Sequence, residues 1–130
     1  MITADQLACH LVGDYILQSD WMGIKKTQTW MPALVHGVFY SLPFLFLRPS
    51  INALLVIGLT HTLIDHTRIA RHACWIKNFI APKSDWPKPW IVCSKNGYDP
   101  SRPDWLTYWL MFIADNTMHI IINGLALYYL

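Results

Sequence analysis

The chain has no glutamate, and only 14% of its 130 residues are charged. Its ten Lys and Arg residues outnumber the eight acidic residues by two, and they do not concentrate on one predicted helix. The electrostatic footprint of a nucleic-acid-binding protein is therefore missing. A hydrophobic content of 54% likewise excludes a disordered, solvated chain. We expect no nucleic-acid partner.

The better-defined catalytic motifs are also absent. The sequence contains no G-x-S-x-G elbow, no phosphate-binding loop, no dinucleotide fingerprint and no H-E-x-x-H helix. Its three cysteines are an odd number without C-x-x-C spacing, a pattern that indicates neither a disulfide framework nor a thiolate zinc site. Any chemistry must therefore come from other residues.

Long apolar segments with helix start signals are what the sequence does contain. Thr3 begins a T-x-x-Q capping box, Pro32 suits a first helical turn, and Ser50 and Asp104 are N-cap residues. These signals predict an all-α domain spanning residues 1–130. Its four helices run over about 3–21, 32–47, 51–75 and 105–130, with a long Pro/Trp-rich loop between the third and the fourth.

Helices of this length and polarity predict a four-helix transmembrane bundle, because about 20 apolar residues cross a bilayer. Basic residues concentrate in the first and third connections, Arg48 stands alone in the second, and neither terminus has one. By the positive-inside rule both termini lie outside the cytoplasm. The alternative is a soluble helical bundle with unusually apolar helices.

Ionisable groups recur inside the predicted spans at a spacing of four residues. Residues four apart share a helix face, so each pair presents an imidazole beside a carboxylate. At about 1.5 Å per residue, these groups fall near the middle of the bilayer and can converge. The predicted metal ligands are His10, Asp14, His36, His61, Asp65, Asp115 and His119.

Charge balance favours a bound cation at this convergence. A central Asp costs about 2.5–3.5 kcal/mol on the insertion scale, and facing carboxylates repel one another unless positive charge is supplied. Neutral His with ionised Asp is a usual ligand set for Zn, Mn or Fe. Two alternatives remain open, namely interhelical His–Asp pairs that only hold the bundle together and axial haem ligation.

Several segments together resemble a family of small bacterial and phage membrane proteins known as domain of unknown function 3307. The resemblance implies a membrane location and a bacterial or phage origin, and it implies no activity. Together with the predicted spans, it leads us to expect a multi-pass protein of the bacterial inner membrane. The resemblance covers nearly the whole chain, and the loop over residues 79–103 is its least characteristic part. The segments that carry it are His10–Trp21, His36 with Tyr40–Pro43, Thr60–Arg68, and Asp115–Asn123.

The sequence hypothesis is a metal-dependent hydrolase acting on a lipid-linked or membrane-delivered substrate. Asp65 and His61 are the predicted catalytic residues, and the metal would lower the pKa of a bound water. Arg68 would pair with an anionic group such as a phosphate. The predicted substrate-binding residues are Arg68, Gln18, Asn116 and Asn123.

The alternative hypothesis is a non-enzymatic membrane interaction protein, such as a phage or bacterial modulator of a membrane complex. In that case the His–Asp pairs are structural or relay protons. Both hypotheses make the lipid bilayer a partner, and both allow a homo-oligomer or a complex with another membrane protein.

Overall fold

Helices make up all the regular structure of residues 2–130, the part of the chain that the computed structural model describes, and that range contains no β-strand. The all-α prediction is therefore confirmed. The helices are α1 (Ala4–Leu11), α2 (Asp20–Lys25), α3 (Trp30–Ser41), α4 (Ile51–Thr67), α5 (Ala70–Lys77), α6 (Trp90–Cys93) and α7 (Asp104–Tyr129). A π-helical turn, Val12–Ile16, follows α1, and a 3₁₀ helix, Leu42–Leu47, continues α3.

The chain groups into two compact units, whereas the sequence pattern predicts a single domain over residues 1–130. The first unit contains the residues up to Thr67 together with Met118–Leu130, and the second contains Arg68–Thr117. Helix α7 supplies residues to both units.

The first predicted helix, over about 3–21, is observed in pieces. Thr3 caps α1 as predicted, because its hydroxyl accepts a hydrogen bond from the N–H of Gln6 at 3.2 Å. The helix then widens into the π turn, which closes with the Leu17 N–H bonded to the Val12 carbonyl at 3.0 Å. Ser19 caps α2, so a new helix begins inside the predicted one.

The third predicted helix, over about 51–75, is also broken. Ser50 caps α4 as predicted and accepts from the N–H of Ala53 at 3.0 Å. The break comes at Arg68, whose φ of 53° is left-handed, and α5 begins two residues later. A left-handed residue cannot continue an α-helix, and no Gly or Pro marks the position in the sequence.

Helices α3 and α4 pack closely because glycines lie where they cross. A Cβ added to Gly37 would lie 2.0 Å from Thr62 Oγ1 and 2.8 Å from the Gly58 carbonyl. A Cβ on Gly58 would lie 2.6 Å from Ser41 Oγ. This approach brings the inward-facing side chains of the two helices within contact of each other.

Within residues 2–130, two helical segments are long and apolar enough to cross a bilayer, namely Trp30–Leu47 and Asp104–Tyr129. Helix α4 has 17 residues and α1 has eight, and neither is one of these two candidate spans. The structure thus supports an all-α protein with two candidate spans.

The Pro/Trp-rich loop of the second unit is held by specific hydrogen bonds. The indole N–H of Trp75 donates to the Lys88 carbonyl at 2.9 Å, and that of Trp86 donates to the Ala81 carbonyl at 2.9 Å. The pKa of the Asp99 carboxyl is lowered to about 2, because the Ser101 N–H and the Lys88 ammonium hydrogen-bond to it. The loop therefore has a defined conformation.

Candidate metal centre

Four buried side chains of the first unit converge on one point. Asp14 comes from the π turn after α1, His36 from α3, and His61 and Asp65 from α4. One ligand atom from each lies within 4.8 Å of those from the other three. Both imidazoles are at most 1% exposed and both aspartates are 6% exposed, so the cluster is almost shielded from solvent.

The distances between these atoms are short. His36 Nε2 lies 2.9 Å from His61 Nε2, 3.2 Å from Asp14 Oδ1 and 3.4 Å from Asp65 Oδ2. His61 Nε2 lies 3.1 Å from Asp65 Oδ2 and 3.7 Å from Asp14 Oδ1. Four electron-pair donors therefore face a common centre.

Hydrogen bonding cannot satisfy all these contacts at once. The carboxylates only accept, and each imidazole Nε2 carries at most one hydrogen. At most two of the contacts can therefore be hydrogen bonds at any moment, and the others bring lone pairs together. A cation at the centre complements all four donors at the same time.

The spacing of the donor atoms suits a small tetrahedral site. With zinc–ligand distances of about 2.0–2.2 Å, the donors of a tetrahedral site lie roughly 3.3–3.6 Å apart. Five of the six distances between the donors range from 2.9 to 3.7 Å and bracket that spacing. Two nitrogen and two oxygen donors also suit Zn, Mn or Fe.

Packing orients the imidazoles of the cluster. The ring of Tyr40 stacks on His61 with centroids 3.5 Å apart and an angle of 13° between the planes. The Nδ1 atoms of His36 and His61 are buried and have no hydrogen-bond partner within residues 2–130. The ring of His61 is therefore held by stacking rather than by the outer hydrogen bond that ligating histidines usually make.

A second layer of polar residues surrounds Tyr40. The Asn123 amide donates to the Tyr40 hydroxyl, and that hydroxyl lies 2.8 Å from His10 Nδ1. Since the amide N–H can only donate, the Tyr40 O–H is available to donate to His10. His119 Nε2 lies 3.3 Å from Asp65 Oδ1, the oxygen that does not face the two histidines.

Lys26 is a cluster residue that the sequence analysis missed. Its ammonium lies 2.7 Å from Asp65 Oδ2, the same oxygen that faces His36 and His61. The sequence pattern assigns Lys26 only to a charged connection, because residues 39 positions apart in the chain carry no local signal of contact. The ion pair shows that Asp65 already has a counter-ion.

Three other predicted site residues of the first unit lie outside the group of four. His10 is buried against Tyr40, outside the group of four, and Asn123 bonds Tyr40 rather than facing the cluster. Gln18 packs beside Gly23, because a Cβ added to Gly23 would lie 3.4 Å from the side-chain amide nitrogen of Gln18. Their roles as metal ligands or substrate-binding residues stay predictions.

Three of the predicted residues belong to the second unit, namely Arg68, Asp115 and Asn116. The guanidinium of Arg68 donates to the Lys95 carbonyl at 3.1 Å, and the amide of Asn116 donates to the Phe112 carbonyl of its own helix at 2.8 Å. Asp115 is half-buried one turn before His119 on α7. The left-handed conformation of Arg68 follows the end of α4 at Thr67, and Arg68 is the first residue of the second unit.

Comparison with known proteins identifies the family. The model of a family described as "Protein of unknown function (DUF3307)" matches residues 2–129. The chain belongs to this family. DUF3307 is the family that the sequence motifs indicate, and its description assigns no activity. No curated protein and no solved structure matches the chain.

Proposed function

We propose that this DUF3307 protein is an integral membrane protein whose first unit binds one divalent metal ion through Asp14, His36, His61 and Asp65. The observation that carries the proposal is the convergence of four buried donors at spacings that suit a tetrahedral metal ion. Zn, Mn and Fe are the candidate ions, because each accepts imidazole and carboxylate ligands.

A membrane location is supported by the apolar surface of the two candidate spans. Only 22% of the most apolar window of α7 is buried, and Phe46 at the end of the other span is 87% exposed. A soluble protein rarely leaves such surface in water. We propose a multi-pass location in the bacterial inner membrane with both termini outside the cytoplasm, and the two candidate spans and the charge pattern support this topology.

Sodium carbonate extraction tests the location. An integral membrane protein stays in the membrane pellet at high pH and dissolves only in detergent. Release of the chain into the aqueous supernatant would contradict the proposed insertion.

Hydrolysis of a lipid-linked or membrane-delivered substrate is the activity that we propose for such a centre. A metal with four protein ligands needs a fifth or sixth position to hold a water, which Mn and Fe provide readily and Zn provides on expansion. Because Asp65 and His61 direct their donor atoms at the centre, we assign them as ligands. Their predicted catalytic role would therefore act through the metal.

Elemental analysis of the detergent-purified protein tests the metal centre. We expect about one equivalent of a divalent transition metal per chain, lost in Asp65→Asn and His61→Ala with helical content and elution volume retained. Matched controls are Asp20→Asn, an exposed carboxylate, and His72→Ala, an imidazole of the second unit stacked on Trp90. Both controls should keep the metal.

The competing function is a membrane interaction protein with a structural polar network, and the Lys26–Asp65 ion pair favours it. In that case the ammonium and the histidines neutralise the carboxylates without a metal. A metal-free wild type that also binds no added Zn²⁺, Mn²⁺ or Fe²⁺ would overturn the metal centre and leave this function in its place.

A further inference from the structure

Lys26 occupies a distinctive position at the edge of the cluster. Its ammonium lies 2.7 Å from Asp65 Oδ2, and its side chain is 17% exposed against 3% for that of Asp65. The preceding residue, Lys25, is exposed. The two adjacent lysines therefore differ in that only Lys26 is paired with the cluster in the structure.

The backbone at Lys26 is fixed, whereas its side chain has a route to solvent. The Lys26 N–H donates to the Met22 carbonyl at 2.9 Å, and the Lys26 carbonyl lies 2.8 Å from His66 Nδ1. The ring of Trp30 stacks on that of His66 with centroids 3.8 Å apart. A lysine side chain is a flexible four-carbon stem with rotatable bonds, so its ammonium can move while this backbone stays in place.

A metal ion and the Lys26 ammonium would compete for one oxygen. Asp65 Oδ2 is the oxygen nearest His61 Nε2, at 3.1 Å, and it is also the oxygen that Lys26 contacts. Asp65 Oδ1 is directed at His119, on the other side of the carboxylate. A divalent ion at the centre would therefore lie close to the ammonium, and the two positive charges would repel in a medium of low dielectric constant.

We propose that Lys26 is the resident counter-ion of Asp65, which an incoming divalent cation displaces toward solvent. This inference rests on the metal centre proposed above and concerns how that centre is loaded. Without metal, the ammonium keeps the buried carboxylate paired, since an unpaired buried charge would be strongly destabilising. With metal, the ion takes over that role and the ammonium leaves.

The displacement has a consequence for affinity and selectivity. The metal must outcompete a cation that is already in place, so the wild type binds more weakly than a chain without the ammonium. Monovalent cations gain too little from two carboxylates to displace it. Lys26 thereby reserves the centre for divalent ions that also bind imidazole.

Metal titration of three proteins tests the proposal. The metal-free wild type, Lys26→Met and Lys25→Met are titrated with Co²⁺ and Zn²⁺ in detergent against a chromophoric chelator. We expect Lys26→Met to bind roughly tenfold more tightly or better, because its carboxylate has lost the competing cation. Lys25→Met should bind within about twofold of the wild type, since an exposed charge is screened.

A footprint on the wild type supplies a test that needs no variant. Reductive methylation followed by mass spectrometry reports how accessible each lysine amine is. We expect Lys26 to be methylated several times faster after Zn²⁺ is added, and Lys25 to be methylated at the same rate with and without Zn²⁺. This measurement remains valid even if Lys26→Met fails to fold.

The outcomes separate this inference from the proposed function. If the wild type and Lys26→Met both bind no metal, the metal centre is wrong and the inference fails with it. If both bind metal with equal affinity, or Lys26 stays protected when Zn²⁺ is bound, the centre stands and the displacement is refuted.

Discussion

Tyr40→Phe is the substitution that most directly tests how the surroundings of the cluster are held together. It removes one oxygen from a side chain that is completely buried and leaves the ring that stacks on His61. That oxygen accepts from the Asn123 amide and lies 2.8 Å from His10 Nδ1. The substitution therefore breaks two buried hydrogen bonds without removing the aromatic contact.

The expected loss of stability follows from the polar atoms that lose this partner. His10 is 0% exposed and Asn123 is 1% exposed, so water cannot replace the missing hydroxyl without rearrangement. A buried polar group whose partner is deleted costs about 1–3 kcal/mol. For the two groups together we expect a loss of roughly 2–6 kcal/mol in the free energy of unfolding.

Reversible unfolding in mixed detergent micelles, followed by circular dichroism, measures this loss. Tyr128→Phe is the matched control, because Tyr128 is 62% exposed and its hydroxyl can bond water. We expect the control to change stability by less than about 0.5 kcal/mol. A Tyr40→Phe protein within 1 kcal/mol of the wild type would refute the reasoning, since the two bonds would then contribute almost nothing.

Two further predictions concern the helix crossing and the loop. Gly37→Ala would place a Cβ 2.0 Å from Thr62 Oγ1 and 2.8 Å from the Gly58 carbonyl, so we expect the same unfolding assay to show a loss of about 1–3 kcal/mol or more. Gly23→Ala, whose Cβ would meet nothing closer than 3.4 Å, is the control, and equal stability of the two variants would contradict the close crossing. For Asp99, the lowered pKa of about 2 means that its stabilising contribution is complete above about pH 4 and is lost as the pH falls toward 2. A carboxyl ¹³C titration should place the midpoint near 2, and a midpoint near the ordinary value of 3.8 would show that the Ser101 and Lys88 contacts are absent.

Local rules account for the parts of the fold that could be predicted. Thr3 and Ser50 cap helices because a hydroxyl at the start of a helix bonds an N–H within the next turn, and both do so. The same periodicity places His61 and Asp65 on one face of α4, where His61 Nε2 lies 3.1 Å from Asp65 Oδ2. Each of these features depends on residues within one helical turn of each other.

Tertiary constraints account for the parts that could not be predicted. The π turn at Val12–Ile16 forms where Gly13 lies against Tyr40, and a Cβ on Gly13 would lie 2.6 Å from the Tyr40 carbonyl. The left-handed conformation of Arg68 has no Gly or Pro signal, and it separates Arg68 from the first unit. A prediction from sequence periodicity treats each helix as unbroken. It therefore assigns residues to one helix face even beyond a point at which the chain changes direction.

The charges of the cluster link the metal centre to the displacement of Lys26. With neutral imidazoles, the two carboxylates and the ammonium carry one net negative charge, so the site attracts cations. A divalent ion that joined the ammonium would reverse the sign and leave one net positive charge. A divalent ion that replaced the ammonium would leave none, and a neutral set of charges is the least costly to hold in a site that is almost closed to water. The same two carboxylates thus favour both the uptake of a divalent ion and the departure of the lysine.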